Sequence, residues 1–232
     1  MIPASLRVGG LTRFTSIDYP GKLSAVVFVQ GCPWRCGYCH NPQLQAREAP
    51  AGPSWSEVMS WLPRRVGLID AVVFSGGEPT LDPALGDAMD EVRALGLAVG
   101  LHSAGIYPRR LRELLPRLDW IGLDVKAPLD DEPAHRRITG VAGSAAAVAE
   151  SVRAVLDAGV ASEMRTTAHP ALLDDAELRH LADGLVAQGA THFALQVARP
   201  ANHLPAPPAD YPAAATLAHL RAAFPNFSLR RE

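Results

Sequence analysis

Cysteine and lysine are the two residue types this chain almost does without. Among 232 residues there are three cysteines, Cys32, Cys36 and Cys39, all on one short stretch. A disulfide framework needs more cysteines than this, in pairs spread along the chain, so none is expected. Of the 22 basic residues only Lys22 and Lys126 are lysines; the rest are arginine, so a lysine here is no default choice. Charge of one sign is also missing. The 22 basic and 24 acidic residues leave a formal net charge of −2 without any long like-charged run. That balance argues against a nucleic-acid partner. No apolar run approaches the roughly 18 residues that cross a membrane. The opening Met1-Ile2-Pro3-Ala4-Ser5-Leu6-Arg7 shows no charged leader followed by an apolar block, so a soluble, cytoplasmic protein is expected. Repeats and low-complexity tracts are absent as well.

What is present is enough apolar residue, 48% of the chain, for one large core. The expected organisation is a single domain over 1–232: an N-terminal extension over 1–22, six βα units over 23–200, and a C-terminal loop and helix over 201–232. Short β-branched runs at 23–30, 71–75, 97–102, 120–126, 160–167 and 192–197 read as strands. Between them lie stretches of helical spacing. Asp82 and Pro83 mark one helix start, and Gly96 follows its last apolar residue, Leu95. Leu111, Leu114, Leu115 and Leu118 share a face, as do Val148, Val152, Val155 and Leu156 ahead of Gly159. Further helices are expected near 54–65, 174–188 and 213–224. Strict alternation demands a parallel sheet with right-handed crossovers. It fits an open doubly wound sheet or a curved partial barrel.

The chemically conspicuous residues all follow the strands. The cysteines come just after the first, Ser75-Gly76-Gly77-Glu78-Pro79 after the second, and His102-Ser103-Ala104-Gly105 after the third. The fourth ends in Asp124-Val125-Lys126, whose i, i+2 charges share a face. The fifth carries Arg165 and leads to His169, and the sixth carries Gln196. In parallel α/β folds, sites are built at this rim.

Three thiolates on one loop select zinc, copper(I) or an iron-sulfur cluster. A structural zinc needs a fourth ligand, for which His40 is adjacent. A 4Fe-4S cluster usually takes four cysteines, so three leave one iron open for something else. The bland reading of Gly76 and Gly77 is a tight turn; the functional one is bare backbone with Glu78 holding an ammonium group. Asp124 and Lys126 read either as a surface ion pair or as buried charges that need a ligand. Arg165 suits an anionic group. His135, His180, His192, His203 and His219 read as surface or capping residues, and Trp55, Trp61 and Trp120 as core. The ring of Tyr38, between two cysteines, can cover a cluster or lie against a purine.

Taken together, the C-x3-C-x2-C order with an aromatic before its third cysteine, and Gly76-Gly77-Glu78-Pro79 one βα unit later, resemble radical S-adenosylmethionine enzymes. The likeness continues through Ser16-Ile17-Asp18-Tyr19-Pro20-Gly21-Lys22, Cys39-His40-Asn41-Pro42, Asp124-Val125-Lys126-Ala127-Pro128 and Arg165-Thr166-Thr167. It is similar to the activating proteins of glycyl radical enzymes, most closely those of anaerobic ribonucleoside-triphosphate reductase. The resemblance implies a partial (β/α)6 TIM-type barrel of parallel strands, the radical SAM fold, with a 4Fe-4S cluster on Cys32, Cys36 and Cys39. It implies that the open iron chelates S-adenosylmethionine, with Gly76, Gly77 and Glu78 at the amino end. Asp124 and Lys126 would contact ribose and carboxylate, Arg165 the methionyl or ribose side, and Tyr38 the adenine. Ser103 stands where relatives carry a ribose contact. Flavodoxin or ferredoxin would supply the electron and a partner's glycine Cα the hydrogen. Two alternatives stay open: a radical enzyme acting on a small molecule, and a noncatalytic zinc-binding interaction protein.

Overall fold

The protein is described from a computed structural model that covers residues 5–48, 52–200 and 204–231. The chain packs as two compact units, each assembled from separate segments. Within each unit the strands neighbour one another in chain order.

The first unit takes in residues through Pro33, Asn41–Ser103 and Arg109–Gly122. Its strands are β1 (Val8–Thr15), β2 (Ser24–Val29), β3 (Ala71–Gly76) and β4 (Ala98–Ser103). β2, β3 and β4 are parallel, in register from Ser24↔Ala71 and Ala71↔Ala98, and match three of the expected strands. β1 is a correction to the N-terminal extension. It pairs antiparallel with β2, from Val8↔Val29 to Thr15↔Ser24. Its sequence, VGGLTRFT, has two glycines and no clean alternation, so the neighbour's hydrogen bonds rather than propensity make it a strand.

The turn after β1 carries Tyr19 inward, where its ring stacks on Trp120 at 5.0 Å. With Val26, Ala71 and Val73 these rings form a buried cluster. Gly100 makes room for it: a Cβ there would stand 3.1 Å from both the Tyr19 ring and Val73 Cγ2. Helix α1 (Trp55–Trp61) starts at a Ser54–Glu57 capping box, in which each side chain takes the other residue's backbone N–H. Helix α2 (Leu85–Ala94) starts later than expected, with Ala84 rather than Asp82 at the N-cap. A 3-10 turn over Pro79–Leu81 intervenes. Asp82, buried, accepts from Ala84 N at 2.9 Å and pairs with Arg47 at 3.2 Å. Helix α3 spans Pro108–Leu114, and the four leucines assigned to one face are all buried.

Strand β5 (Trp120–Asp124) begins in the first unit and ends in the second, which takes in Trp34–His40, Ala104–Pro108 and residues from Leu123 onward. The second unit holds α4 (Glu132–Thr139), α5 (Ser144–Asp157), β6 (Ala161–Ala168), α6 (Asp175–Ala187), β7 (His192–Val197), α7 (Ala214–Ala223) and β8 (Asn226–Arg230). α4 and β8 were not expected. α4 runs from an Asp131 cap, whose carboxylate accepts from Ala134 N at 2.9 Å, to Gly140 at φ 74°. The C-terminal segment is therefore loop, helix and strand.

β6, β7 and β8 are parallel. Phe193 on β7 stacks on Phe224 beyond α7 at 4.8 Å and on Phe227 of β8 at 6.2 Å. Pleating sends Ala194, Gln196, Ser228 and Arg230 to the opposite face. Phe193 is 1% exposed, so Phe193→Ala is expected to lose about 3–5 kcal/mol in urea unfolding, through lost transfer and a cavity between two rings. A loss under about 1 kcal/mol would show that β8 is not packed as described.

Candidate functional site

The first unit holds Cys32, Gly76, Gly77, Glu78 and Ser103. Cys32 leaves β2 on a backbone braced at several points. Gly31 N donates to Leu44 O at 2.8 Å and Cys32 N to Gln45 O at 3.0 Å. The buried Gln30 amide donates to Gln43 O and Ala46 O. The residues after β3 lie directly against this segment: Gly77 N donates to Val29 O at 3.0 Å and Glu78 N to Gly31 O at 2.9 Å. That approach explains both glycines. Gly76 sits at φ 117°, where a Cβ would be 2.5 Å from Val29 N, and a Cβ on Gly77 would be 2.2 Å from Gly31 O. The space a side chain would fill is taken by the start of the cysteine loop.

Glu78 is wholly buried. Its Oε1 accepts from Thr80 N at 3.1 Å, Thr80 Oγ1 at 2.5 Å and Ser103 Oγ at 2.8 Å. Ser103 therefore orients the carboxylate, and Thr80 joins it, a role sequence reasoning missed. His102 is held at both ring nitrogens, by Ser75 Oγ at 3.2 Å and Asp18 O at 2.8 Å.

The second unit holds Cys36, Tyr38, Cys39, Asp124, Lys126 and Arg165. Helix α4 organises them. Its last carbonyls receive the cysteine loop, Arg35 N on Thr139 O at 2.9 Å and Gly37 N on Ile138 O at 3.3 Å. Cys39 N turns back onto Cys36 O at 3.0 Å. From the same helix the ring of His135 meets Ala127 O, next to Lys126, at 3.0 Å. His135 is fully buried, which corrects its assignment to the surface. Opposite, Val125 N donates to Arg165 O and Thr166 Oγ1 to Val125 O, both at 2.7 Å. The backbone between Asp124 and Lys126 is thus fixed from two sides.

Lys126 is 7% exposed. Its ammonium donates to Asp124 Oδ2 at 3.2 Å and stands 5.4 Å from the centre of the buried Tyr38 ring. Burial alone would depress its pKa, but the Asp124 carboxylate, with Tyr38 and Cys36 beside it, holds the ammonium well above its ordinary range. Burial pushes the Tyr38 phenol up, and likewise the Cys36 thiol, which Lys126 pulls partly back. Arg165 lies 3.5 Å from Glu163, which Arg230 of β8 also grips. Both ring nitrogens of His169 are engaged, with Pro205 O and Ala171 N. His180 and His219 pair with Asp130 and Asp183 at the surface, and His203 lies outside the described residues.

The three thiols are free of disulfides and each is half-buried. Among the described residues no three His, Cys, Asp or Glu side chains are grouped as a ready metal site. The fit of an iron-sulfur cluster therefore rests on donor chemistry: three accessible thiols on one braced loop.

Residues 26–183 match the Radical SAM superfamily. A Methanocaldococcus jannaschii protein with the provisional name glycyl-radical enzyme activating enzyme is 29% identical over 75% of this chain and 73% of its own. A Clostridium pasteurianum pyruvate formate-lyase-activating enzyme is 31% identical over 76% of this chain and 75% of its own. The crystal structure of Streptococcus suis SuiB bound to S-adenosylmethionine superposes with a TM-score of 0.69 at 13% identity, covering 88% of this chain and 48% of SuiB. This chain thus spans about half the length of that structure, and the likeness shows the fold. The protein is an α/β enzyme with a parallel-strand sheet. It belongs to the radical SAM superfamily, whose cofactors are a 4Fe-4S cluster and S-adenosylmethionine. Membership removes the noncatalytic zinc module.

Two outcomes follow from these contacts. Gly77→Ala is expected to retain its far-ultraviolet dichroism but incorporate less than about a third of the wild-type iron, because a Cβ cannot stand 2.2 Å from Gly31 O. Iron content equal to wild type would mean that the two segments part without consequence. Burial lowers the pKa of His135 from 6.5, outweighing its bond to Ala127. Below pH 6.5 the unfolded chain takes up a proton that the folded one resists, so stability falls with pH by at most about 1.4 kcal/mol per unit. His135→Gln is expected to flatten that slope in urea titrations between pH 7 and 5.

Proposed function

We propose that the protein is an activase that generates a glycyl radical on a partner enzyme, with anaerobic ribonucleoside-triphosphate reductase the first candidate. In this reading Cys32, Cys36 and Cys39 hold the cluster, and flavodoxin or ferredoxin is the electron donor. Held there, the cluster would supply the one-electron reduction that cleaves S-adenosylmethionine and so generates the radical on a glycine Cα of the partner. The chain's own part is positioning. Glu78, its Oε1 oriented by Thr80 and Ser103, holds the cosubstrate's ammonium, with Gly76 and Gly77 backing it. Lys126 meets carboxylate and, with Asp124, ribose. Tyr38 borders the adenine, and Arg165 takes an anionic group.

The observation that carries this reading is Lys126: a buried, protonated lysine beside Cys36 and over Tyr38, in a chain whose basic residues are arginine everywhere else but at Lys22. The names of the two relatives support a glycyl radical enzyme as partner. A small-molecule substrate is the competing outcome of the test.

Anaerobically reconstituted protein should give a reduced-cluster paramagnetic resonance signal that changes when S-adenosylmethionine is added. Mixed with candidate reductase and reductant, it should yield a glycyl radical doublet; pyruvate formate-lyase serves as the parallel partner. Cys36→Ala is expected to bind no cluster. Lys126→Ala should keep the cluster and bind S-adenosylmethionine at least about tenfold more weakly, as for a lost charge-assisted contact. Cosubstrate cleavage without a glycyl radical on either partner would favour the small-molecule substrate.

A further inference from the structure

An α-helix leaves its last carbonyls without partners inside the helix. In α4 two of them are taken up by the cysteine loop: Thr139 O accepts from Arg35 N at 2.9 Å and Ile138 O from Gly37 N at 3.3 Å. Those two amides flank Cys36. The carbonyls face the loop because the chain turns away at once, through Gly140 at φ 74°, which packs against Arg35: a Cβ there would stand 3.7 Å from Arg35 Cβ. The turn is held by two buried hydroxyls, of Thr139 at 0% and Ser144 at 3% exposure. With Ser144 Oγ donating to Val141 O at 3.0 Å, Thr139 Oγ1 is left to donate to Ser144 Oγ at 3.1 Å while it accepts from Val141 N at 3.2 Å. Every proton of this small ring then has an acceptor. Glu132, in the first turn of α4, clamps the chain beyond the turn, where its carboxylate accepts from Gly143 N at 2.6 Å and Ala145 N at 2.9 Å.

We infer that Thr139 is a positioning residue for Cys36: its hydroxyl fixes the turn that aims the last two carbonyls of α4 at the amides on either side of the cysteine. The inference rests on the reading that Cys36 is a cluster ligand. A ligand whose backbone is held on both sides needs no reordering to close on iron, whereas one set loose does, and supporting contacts of this kind tune how firmly a metal site holds. Thr139→Val keeps the side-chain shape but leaves Val141 N and Ser144 Oγ without their partner. Thr139→Ser puts the hydroxyl back.

The test is the rate at which a chelator removes iron from anaerobically reconstituted full-length protein, alongside thermal midpoints. Thr139→Val should release iron about tenfold faster than wild type, the lower end of what a lost supporting contact costs a metal site. Thr139→Ser should stay within about threefold of wild type. Glu132→Gln loosens the same corner beyond the turn and reports what lost stability does by itself; it should stay within the same range as Thr139→Ser. Release as fast in Glu132→Gln as in Thr139→Val would make the effect one of general loosening and overturns the inference. A wild-type rate in Thr139→Val, or no rescue by Thr139→Ser, overturns it as well. Should Thr139→Val not fold, Ser144→Ala removes the same hydroxyl contact, and a wild-type rate there overturns the inference. Cys36→Ala separates the two levels: full iron in that variant removes Cys36 from the cluster and the inference with it, whereas lost iron there beside a wild-type rate in Thr139→Val overturns the inference alone.

Discussion

The contact between Gly31 O and Glu78 N, with no room for a Cβ at Gly77, is the constraint on which the first unit's candidate residues depend. It clamps the exit of β2 against the exit of β3, so the segment leading to Cys32 and the carboxylate of Glu78 are set by one backbone interface. Parallel strands make such a contact natural, because neighbouring strands deliver their exits to the same edge. What is unusual is the closeness, which only glycine permits. Ser103, from the next strand, then locks the carboxylate through its hydroxyl. Three successive strand ends thus converge on Glu78.

The second unit solves a different problem, keeping a full charge under cover. A buried ammonium is costly unless it is paired. Here the pairing carboxylate lies two residues away, on Asp124, and the ammonium also stands 5.4 Å from the centre of the Tyr38 ring. The backbone carrying them is pinned by Arg165 O and Thr166 on one flank and by His135 on the other. Because α4 also receives Arg35 N and Gly37 N, the same helix registers the cysteine loop and the lysine. Neither group can shift without disturbing the helix that holds both.

The parallel strands, the helices between them and the rim position of the unusual residues were legible in the sequence, because each follows from local periodicity and punctuation. β1 and β8 were not. β1 has two glycines and no clean alternation, and its pairing with β2 makes it a strand; β8 does alternate, with Phe227 and Leu229 on one face, but its five residues follow the last expected helix directly and were overlooked. α4 was overlooked although its punctuation is present, an Asp131 cap with Pro133 in the first turn and Gly140 after the end; its few apolar residues hid it. His135 was assigned to the surface because its type seldom lies buried, and the carbonyl that accommodates it becomes visible only in the fold. The glycines at 76 and 77 show a subtler limit. They were singled out for baring backbone to a ligand, and the fold shows that they also admit another stretch of backbone. Both demands select glycine, so sequence cannot separate them.

The choice of lysine at 126 has a physical reason that the arginine-rich remainder sharpens. A guanidinium carries five N–H donors in a fixed plane and needs several acceptors to be buried without loss. The described partners of Lys126 are one carboxylate oxygen and the face of a tyrosine ring, which accepts a compact cation through its quadrupole. An arginine there would leave donors unmatched beside the cysteine loop, whereas an ammonium keeps its remaining protons in one small volume. At position 230, by contrast, the guanidinium reaches both oxygens of the Glu163 carboxylate through one nitrogen, Nη2, at 2.9 Å, and its side chain is 29% exposed, so its other donors are not shut away from water as they would be at 126.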